Sequence, residues 1–282
     1  MNKPFEYTAD LSREIARLLA EDVGNGDLTA LIIPEHQQAN ASVITREDMV
    51  LCGQAWFDAV FSSLDQQTVI VWDARDGDKV NAGATLCRLS GNARALLTGE
   101  RAALNLLQTL SATATLAQQY AQAVAGLNVK VLDTRKTLPG LRQAQKYAVR
   151  CGGCHNHRTG LYDGILIKEN HILAAGSIAL ALEKARALNS GAPIEIEVET
   201  LDELDQALAA NAERVLLDNF SPEQLKTAVV RNAGRAQLEV SGNVGLENIR
   251  GIAETGVDFI SIGALTKNVQ AIDLSMRITL DA

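Results

Sequence analysis

The sequence predicts an α/β protein in which an N-terminal α+β sandwich domain precedes an incompletely closed α/β barrel. Three observations predict this arrangement. From residue 129 onward, short apolar segments alternate with helical segments, which is the pattern of a parallel sheet. Six such strands are recognisable, whereas a complete barrel has eight. Before residue 93, in contrast, extended segments surround one short helix.

The N-terminal region begins with a predicted helix. Apolar side chains recur at helical spacing over residues 11–23, with Asp10 as the expected N-cap and Gly24 as the expected end. Asp27 lies in the glycine turn that follows, and we interpret it as a carboxylate that caps the backbone. Strands and one helix are then predicted at 39–52, 54–64, 67–73 and 76–91.

Residues 93–125 are strongly helical, and we expect two helices with a break near Ser111. Leu104, Leu107 and Leu110 mark an apolar face. Arg101 lies close to this face, and its spacing alone favours a surface arginine.

The barrel strands are predicted at 129–134, 164–168, 194–199, 214–218, 237–241 and 258–263. Helices are predicted between most of them, at 175–189, 201–211, 221–232 and 245–255. We place the sandwich domain at 1–112, joined by a C-terminal segment at about 268–282, and the barrel domain at 113–267.

Positive charge is concentrated in one segment of an otherwise acidic chain. The formal net charge is −8, yet residues 134–171 hold seven lysines and arginines against two acids, a net charge of +5. Three of the four histidines also fall here. A confined basic segment predicts a binding site for an anion, and the acidic remainder does not indicate a nucleic-acid surface.

Polar residues follow the apolar part of the predicted strands. Because the carboxyl ends of parallel strands meet at one end of a barrel, where barrel enzymes hold their active sites, these residues should lie together. The strand ends are at 133–136, 168–171, 218–219, 241–243 and 263–265. The last two, SGN and GAL, are rich in small residues, which suits phosphate binding by backbone N–H groups.

One predicted strand carries Glu195, Glu197 and Glu199 on one face, because strand side chains alternate with a period of two. Buried carboxylates need partners. They could form ion pairs with the basic strand ends, or face ligand hydroxyls and a divalent cation beside a polyanion. Charges of both signs at the ligand-binding end favour the second interpretation.

The segment CGGCH at 151–155 matches a haem-attachment pattern and supplies ligand types found in zinc sites. The sequence has neither an apparent export signal nor a second cysteine pair, so we expect no haem and no zinc. Arg158 follows in the same loop and can bind a carboxylate through two parallel hydrogen bonds.

No apolar segment approaches the about 20 residues that cross a bilayer, so we expect no membrane association. Four cysteines without regular spacing indicate a reducing, cytoplasmic setting.

Ten segments occur in the order found in a known family and cover nearly the whole chain. They are GDLT at 26–29, GERAALNLLQTLSATAT at 99–115, DTRKTLPGLR at 133–142, KYAV at 146–149, NHRTGLYD at 156–163, LIKENHI at 166–172, EIEVE at 195–199, LLDN at 216–219, EVSGNV at 239–244 and FISIGALT at 259–266. On these segments the chain resembles the quinolinate phosphoribosyltransferase family of NAD biosynthesis. Cys154 and His155 depart from the family pattern, which usually has glycine and a small residue there.

The resemblance implies a pentosyltransferase, a carboxylating nicotinate-nucleotide diphosphorylase. Such an enzyme transfers phosphoribosyl from phosphoribosyl pyrophosphate (PRPP) to quinolinate with loss of CO2, giving nicotinate mononucleotide and pyrophosphate. The resemblance also implies Mg²⁺ bound with PRPP and a homodimer, or a larger assembly built from it, in which Arg101 enters the neighbouring subunit's site. This implication replaces the surface interpretation of Arg101.

The resemblance further implies roles for individual residues. Glu197, Asp218, Lys136 and Lys168 would be catalytic, and Glu197 and Asp218 would also hold Mg²⁺. The substrate-binding residues would be Arg101, Thr134, Arg135, Lys136, His157, Arg158, Lys168, Glu197, Asp218, Ser241, Gly242, Asn243, Gly263, Ala264 and Leu265.

Two alternatives stay open. A nicotinate phosphoribosyltransferase would act on a substrate with a single carboxylate, and the surplus of cations argues against it. A metal- or haem-binding protein would use CGGCH.

Overall fold

The computed structural model of the protein describes residues 9–281, which fall into two compact units. Of these residues, the first unit comprises 9–116, Arg150–Gly152 and 269–281, and the second comprises Ala117–Val149 and Gly153–Asn268. Among the described residues, no helix combines the length and the apolar character needed to cross a membrane.

The first unit is an antiparallel sheet with helices. Its elements, in chain order, are α1 (Ala9–Val23), β1 (Gln38–Thr45), β2 (Met49–Val50), α2 (Gln54–Leu64), β3 (Val69–Trp72), β4 (Lys79–Val80), β5 (Thr85–Asn92) and the start of α3 (Ala93–Ala123). The C-terminal strand β12 (Leu274–Leu280) pairs with β1, so the four-stranded sheet has the order β12-β1-β5-β3. A C-terminal segment therefore completes the N-terminal sheet.

The predicted first helix is present, and Gly24 ends it with a φ of +54°. The helix begins at Ala9, so Asp10 lies inside it and the N-cap prediction is wrong. The apolar pattern begins only at Leu11 and could not mark the first turn. Asp27 caps the backbone as expected, because its Oδ1 accepts hydrogen bonds from the Thr29 and Ala30 amides, both at 3.0 Å.

The predicted break near Ser111 is wrong, because α3 is continuous from Ala93 to Ala123. The buried Ser111 hydroxyl accepts from the Cys52 amide and donates to the Cys52 carbonyl, both at 3.1 Å. The Thr115 hydroxyl donates to the carbonyl four residues earlier at 2.7 Å. These hydroxyls therefore bind a neighbouring segment or their own helix and do not interrupt the helical hydrogen bonds.

The second unit alternates strands with helices. Its elements after α3 are β6 (Lys130–Leu132), α4 (Arg142–Cys151), β7 (Ile165–Ile167), α5 (Glu169–Ala175), α6 (Ile178–Ala187), β8 (Ile194–Val198), α7 (Leu201–Ala209), β9 (Arg214–Asp218), α8 (Pro222–Asn232), β10 (Gln237–Ser241), α9 (Ile249–Ala253), β11 (Phe259–Ser261) and α10 (Ala264–Lys267). The six predicted strands are thus confirmed, with bounds that differ by up to two residues.

Within residues 9–281 these six strands form one parallel sheet in the order β6-β11-β10-β9-β8-β7. From β8 to β11, each strand lies beside the strand that precedes it in the chain, and β11 pairs with β6. This is the winding of an α/β barrel, with β6 and β7 at the edges of the sheet. The parallel register brings the carboxyl ends together, as expected; Ser241, for example, lies opposite Asp218.

Helix α4 was not predicted. Gln145 and Lys146 are among its buried residues, which obscures the apolar periodicity. The buried Gln145 side chain is hydrogen-bonded through both polar atoms. Its Oε1 accepts from the Leu138 amide and its Nε2 donates to the Thr266 carbonyl, both at 2.8 Å. The predicted helix at 175–189 starts later, at Ile178, because Gly176 adopts a φ of +102° and ends α5.

Candidate active site

A cavity of about 220 Å³ lies at the carboxyl ends of the barrel strands. Eight of the predicted site residues line it, namely Thr134, Arg135, Lys136, His157, Arg158, Lys168, Glu197 and Ser241. Leu166, Leu216, Glu239 and Ser261 complete the lining and were not predicted. Positively charged side chains from separate strand ends therefore line one cavity, together with carboxyl groups.

Two guanidinium groups lie next to each other in this cavity. Burial lowers the pKa of Arg158, and the neighbouring charge of Arg135 lowers it further. Arg158 Nη1 donates to the Gly164 carbonyl at 2.9 Å. The buried Nε of Arg135 has no hydrogen-bond partner. Adjacent like charges with an unused donor favour an anion between them.

Lys168 and Glu197 form an ion pair at the rim of the cavity. Glu197 lies on β8 and is 13% exposed, whereas Lys168 follows β7 and is 46% exposed. The Lys168 amide also donates to His171 Nδ1 at 2.9 Å, which fixes the start of α5. If the two side chains separate, Lys168 can contact a bound anion and Glu197 can contact a cation or a hydroxyl group.

His157 is held by hydrogen bonds on both ring nitrogens. The Arg158 amide donates to Nδ1 at 2.8 Å, so this nitrogen carries no proton. The proton therefore lies on Nε2, which donates to Glu195 Oε2 at 2.9 Å. His157 is thus a neutral imidazole that links the arginine backbone to a buried acid and adds no positive charge to the cavity.

Below the cavity, Arg214 bridges two buried carboxyl groups. Its Nε lies 3.0 Å from Glu195 Oε1, and its Nη2 contacts Glu239. Burial raises the pKa of Glu195, but the hydrogen bond from His157 and the charge of Arg214 outweigh it and give a net decrease. Of the three predicted inward glutamates, Glu195 is buried, Glu197 is half-buried and Glu199 is exposed beyond the strand.

The loop that carries His157 and Arg158 is anchored by a buried ion pair. Asp133, directly after β6, accepts from Lys146 Nζ of α4 at 2.5 Å, and both side chains are at most 2% exposed. Asp133 also accepts from the Asn156 side chain at 2.6 Å and the His157 amide at 2.9 Å. Burial raises the pKa of Asp133 and lowers that of Lys146, and their mutual attraction opposes both shifts.

The Lys136 side chain lies close to the backbone of Gly263. A Cβ atom at residue 263 would lie 2.9 Å from Lys136 Cδ. The Thr134 hydroxyl accepts from the Lys136 amide at 3.0 Å, and the Thr266 hydroxyl donates to the Lys136 carbonyl at 2.8 Å. The predicted residues Ala264 and Leu265 lie in α10, beyond this contact, and Leu265 is buried.

Asp218, Gly242 and Asn243 also lie outside the cavity lining, as do Arg101 and Gly263–Leu265. Gly242 and Asn243 line a neighbouring cavity of about 730 Å³, and Asp218 accepts from the Asn219 side chain at 2.7 Å. Gly242 has a φ of +96°, and a Cβ atom there would lie 2.1 Å from Asn219 Oδ1. Only glycine fits this turn, which leaves backbone amides free to face a ligand.

Arg101 belongs to the first unit. It is exposed and lines a separate cavity of about 610 Å³ there, together with Asp27 and Thr98. The Thr98 hydroxyl donates to Asp27 at 2.9 Å.

The two cysteines of CGGCH fall in different compact units. Cys151 belongs to the first unit and Cys154 to the second. The buried thiol of Cys154 donates to the Ala117 carbonyl at 3.1 Å, and burial raises its pKa to about 12. Among the described residues, the group of ligand-type side chains whose ligand atoms converge is His157, Glu195 and Glu239.

Glu197 and Asp218 suit Mg²⁺ by the chemistry of their donors. Both offer carboxylate oxygens at the ends of the adjacent strands β8 and β9. Mg²⁺ in phosphate-transfer sites commonly takes one or two carboxylates and completes its shell with substrate phosphates and water. The two residues fit such an ion.

Sequence reasoning missed Glu239, Glu195 as a site partner, and the Asp133–Lys146 pair. Glu239 could have been found from the period of two that leads back from Ser241 along β10. The Lys146–Asp133 contact had no comparable signal, because α4 itself was not recognised.

Comparisons with known proteins agree over nearly the whole chain. The sequence profile described as the quinolinate phosphoribosyl transferase C-terminal domain matches residues 113–277, and the N-terminal domain profile matches residues 27–111. The probable nicotinate-nucleotide pyrophosphorylase (carboxylating) of Bacillus subtilis is 41% identical over 271 residues, covering 96% of this chain and 94% of the relative. The nicotinate-nucleotide pyrophosphorylase (carboxylating) of Mycobacterium leprae is 41% identical and covers 95% and 97%.

Solved structures give the same result. The nicotinate-nucleotide pyrophosphorylase from Francisella tularensis superposes with a TM-score of 0.94 at 48% identity, covering 99% of this chain and 100% of that one. Human nicotinic acid phosphoribosyltransferase, at 14% identity and a TM-score of 0.65 over 95% and 74% of the two chains, is similar in fold alone.

We expect Lys146→Met to reduce the free energy of unfolding by about 3–5 kcal/mol, because it leaves the buried Asp133 carboxylate without a counter-charge. Arg88→Ala is the matched control; it breaks an exposed ion pair with Asp73 and should cost about 0–1 kcal/mol. Urea denaturation at neutral pH measures both. Equal losses in the two variants would contradict the anchoring role of the buried pair.

Proposed function

The chain belongs to the quinolinate phosphoribosyltransferase family, and from this we propose that its barrel cavity transfers phosphoribosyl from PRPP to quinolinate. The ring nitrogen of quinolinate bonds to C1 of the ribose as pyrophosphate leaves. The carboxylate beside that nitrogen then departs as CO2, and nicotinate mononucleotide is the product. The chain is thus a carboxylating nicotinate-nucleotide pyrophosphorylase by activity.

The observation that carries the proposal is the pair of adjacent guanidinium groups of Arg135 and Arg158, with an unpartnered Nε on Arg135. Together with Lys168 they place three cations around one cavity of about 220 Å³. Quinolinate brings two carboxylates, which can occupy the space between them. Preorganised cations also stabilise negative charge that remains on the ring as CO2 leaves.

We propose that Glu197 and Asp218 stabilise the positive charge that develops at C1 of the ribose, and hold its hydroxyls. Lys136 contacts the phosphates of PRPP and, with Lys168, balances their charge. Mg²⁺, held by Glu197 and Asp218, would neutralise the departing pyrophosphate. In this mechanism, side chains of both charge signs are held in fixed positions, and no protein nucleophile is needed.

We assign the 5′-phosphate to the turns after the last strands, at Ser241–Asn243 and Gly263–Leu265. Ser241 lines the substrate cavity, and Gly242 turns the backbone with a positive φ. Ser241, Gly242, Gly263 and Ala264 are small and neutral, so the amide groups of these turns can approach an anion closely.

We further propose a homodimer in which Arg101 enters the cavity of the partner subunit. Arg101 is exposed in the first unit beside a cavity of its own unit, so it is accessible to a second copy of the chain. The boundaries 1–112 and 113–267, any assembly beyond a dimer and the cytoplasmic location stay predictions, as do the expectations that the protein binds neither nucleic acid nor membranes.

The rival activity is nicotinate phosphoribosyl transfer. Nicotinate has a single carboxylate and would leave part of the cation set without a partner. A haem or zinc protein that uses CGGCH is less well supported, because the Cys154 thiol is buried and already hydrogen-bonded.

The purified protein should turn over quinolinate with PRPP and Mg²⁺, releasing CO2 and pyrophosphate, because its cavity matches a dicarboxylate. Parallel reactions with nicotinate supply the control, and product analysis by chromatography measures both. Turnover of nicotinate without quinolinate would overturn the assignment. Stoichiometric haem or zinc in the purified protein, lost in Cys151→Ala, would support the metal-binding alternative.

Arg158→Lys should lower kcat/KM for quinolinate on the order of 10²-fold, because lysine cannot form two parallel hydrogen bonds to a carboxylate. Arg231→Lys, at an exposed position on α8, is the matched control and should leave kcat/KM unchanged. A near-normal kcat/KM for Arg158→Lys would show that Arg158 does not bind a substrate carboxylate through two hydrogen bonds.

Arg101→Ala and Lys168→Ala should each be nearly inactive alone, since each removes a cation from every site of a homodimer. Mixed after subunit exchange, they should recover part of the activity, because one site in each heterodimer then has both residues intact. Exchange is monitored by mass-tagged subunits. Proven exchange without recovery would show that Arg101 does not act across the interface.

A further inference from the structure

One half-buried arginine outside the cavity lining contacts both loops that carry the substrate arginines. Arg142 is the first residue of α4 and is not among the residues that line the cavity. Its Nη2 donates to the Arg135 carbonyl and its Nη1 to the Thr159 carbonyl, both at 3.3 Å. Its Nε donates to the Thr137 hydroxyl at 3.1 Å. One guanidinium group therefore joins the loop after β6 to the loop after α4.

The contacts of Arg142 are those of a structural clasp. All three nitrogen atoms of its guanidinium group donate to the protein, and the three acceptors are oxygens of neutral groups. The N–H groups of a guanidinium form a rigid planar fork, so the acceptors that it binds are held in fixed positions relative to one another. Arg142 thus acts on the loop backbones and leaves the cavity to other side chains.

The helix that carries Arg142 is itself fixed to the barrel. Three residues further along α4, Gln145 binds the Leu138 amide and the Thr266 carbonyl, both at 2.8 Å. The next residue, Lys146, forms the buried ion pair with Asp133. The position of the Arg142 guanidinium group is therefore set by a rigid element.

The two loops are joined at two points. Asp133 accepts from the His157 amide at 2.9 Å, which joins the loops near the end of β6. Arg142 joins them again at residues 135 and 159. Arg158 lies between the two attached positions of its loop, and the Arg135 carbonyl is itself one of the attachments. A second attachment removes the rotation that a single attachment allows, so the backbone positions of both substrate arginines are fixed.

Such a support matters because the two substrate arginines repel each other. Their guanidinium groups are close enough for the charge of Arg135 to lower the pKa of Arg158, and like charges beside a protein interior interact more strongly than in bulk water. On mobile loops the two groups would move apart. Their spacing would then no longer match two carboxylates on neighbouring ring atoms.

We propose that Arg142 is a positioning residue that sets the spacing between Arg135 and Arg158, and through this spacing the selectivity for two carboxylates on adjacent ring atoms. This inference rests on the proposed function, in which these two arginines bind quinolinate. Arg142 touches neither substrate and acts through the two loop backbones that it joins.

Arg142→Lys keeps the positive charge and removes the fork, because a lysine ammonium group is a compact point charge that cannot hold all three acceptors. We expect the KM for quinolinate to rise on the order of 10-fold, since displaced arginines bind its carboxylates less well, while the KM for PRPP changes little. Arg235→Lys is the matched control. Arg235 also binds two backbone carbonyls, those of Arg231 and Asn232, but within one exposed segment after α8, and its replacement should leave both KM values unchanged.

Inhibition by unreactive dicarboxylates measures the spacing itself. Benzene-1,2-dicarboxylate has the carboxylate arrangement of quinolinate, whereas benzene-1,3-dicarboxylate places the two groups one ring atom further apart. Against quinolinate, the 1,2-isomer should inhibit the wild type on the order of 10-fold more strongly than the 1,3-isomer, and Arg142→Lys should reduce this ratio at least about threefold. A residue that only stabilised the fold would lower the thermal unfolding midpoint and leave the ratio unchanged.

An unchanged quinolinate KM in Arg142→Lys, or an unchanged inhibition ratio, would overturn the inference. Equal inhibition of the wild type by the two isomers would also overturn it, and that measurement needs no variant. Failure of the wild type to turn over quinolinate with PRPP and Mg²⁺ would instead overturn the proposed function.

Discussion

The buried ion pair between Asp133 and Lys146 is the constraint on which the site depends. It joins the end of β6 to α4, and the same carboxylate accepts hydrogen bonds from the loop that carries His157 and Arg158. Because two charges removed from water must stay together, the loop cannot move without breaking several charge-assisted hydrogen bonds. The position of Arg158 over the cavity is therefore set by groups that do not face the cavity.

A second consequence of burial is that the charges of the site are arranged in layers. Cations line the cavity, Glu197 pairs with Lys168 at its rim, and Glu195, Glu239 and Arg214 lie below. His157 connects the upper and lower layers as a neutral imidazole. The cations that line the cavity can hold an anion, while Arg214 pairs with the two carboxyl groups beneath it.

The sequence predicted the six barrel strands well, because apolar segments with polar ends have a clear period and length. Glu197 and the basic strand ends followed from that pattern. Glu239 was missed because the apolar residues around it in β10 are typical of an ordinary core strand. Helix α4 was missed because its buried face includes Gln145 and Lys146. The expected break at Ser111 was wrong because a hydroxyl in a helix can serve a neighbouring segment, and only tertiary structure reveals that partner.

The contact between Gly263 and Lys136 links two positions that are far apart in the chain. Any side chain at 263 would compete for volume with the Lys136 methylenes, since even a Cβ atom would lie 2.9 Å from Lys136 Cδ. A larger residue at 263 would therefore require the flexible Lys136 side chain to change rotamer, or a shorter residue at 136. The size of the side chain at 263 thus bears on where the Lys136 ammonium group lies.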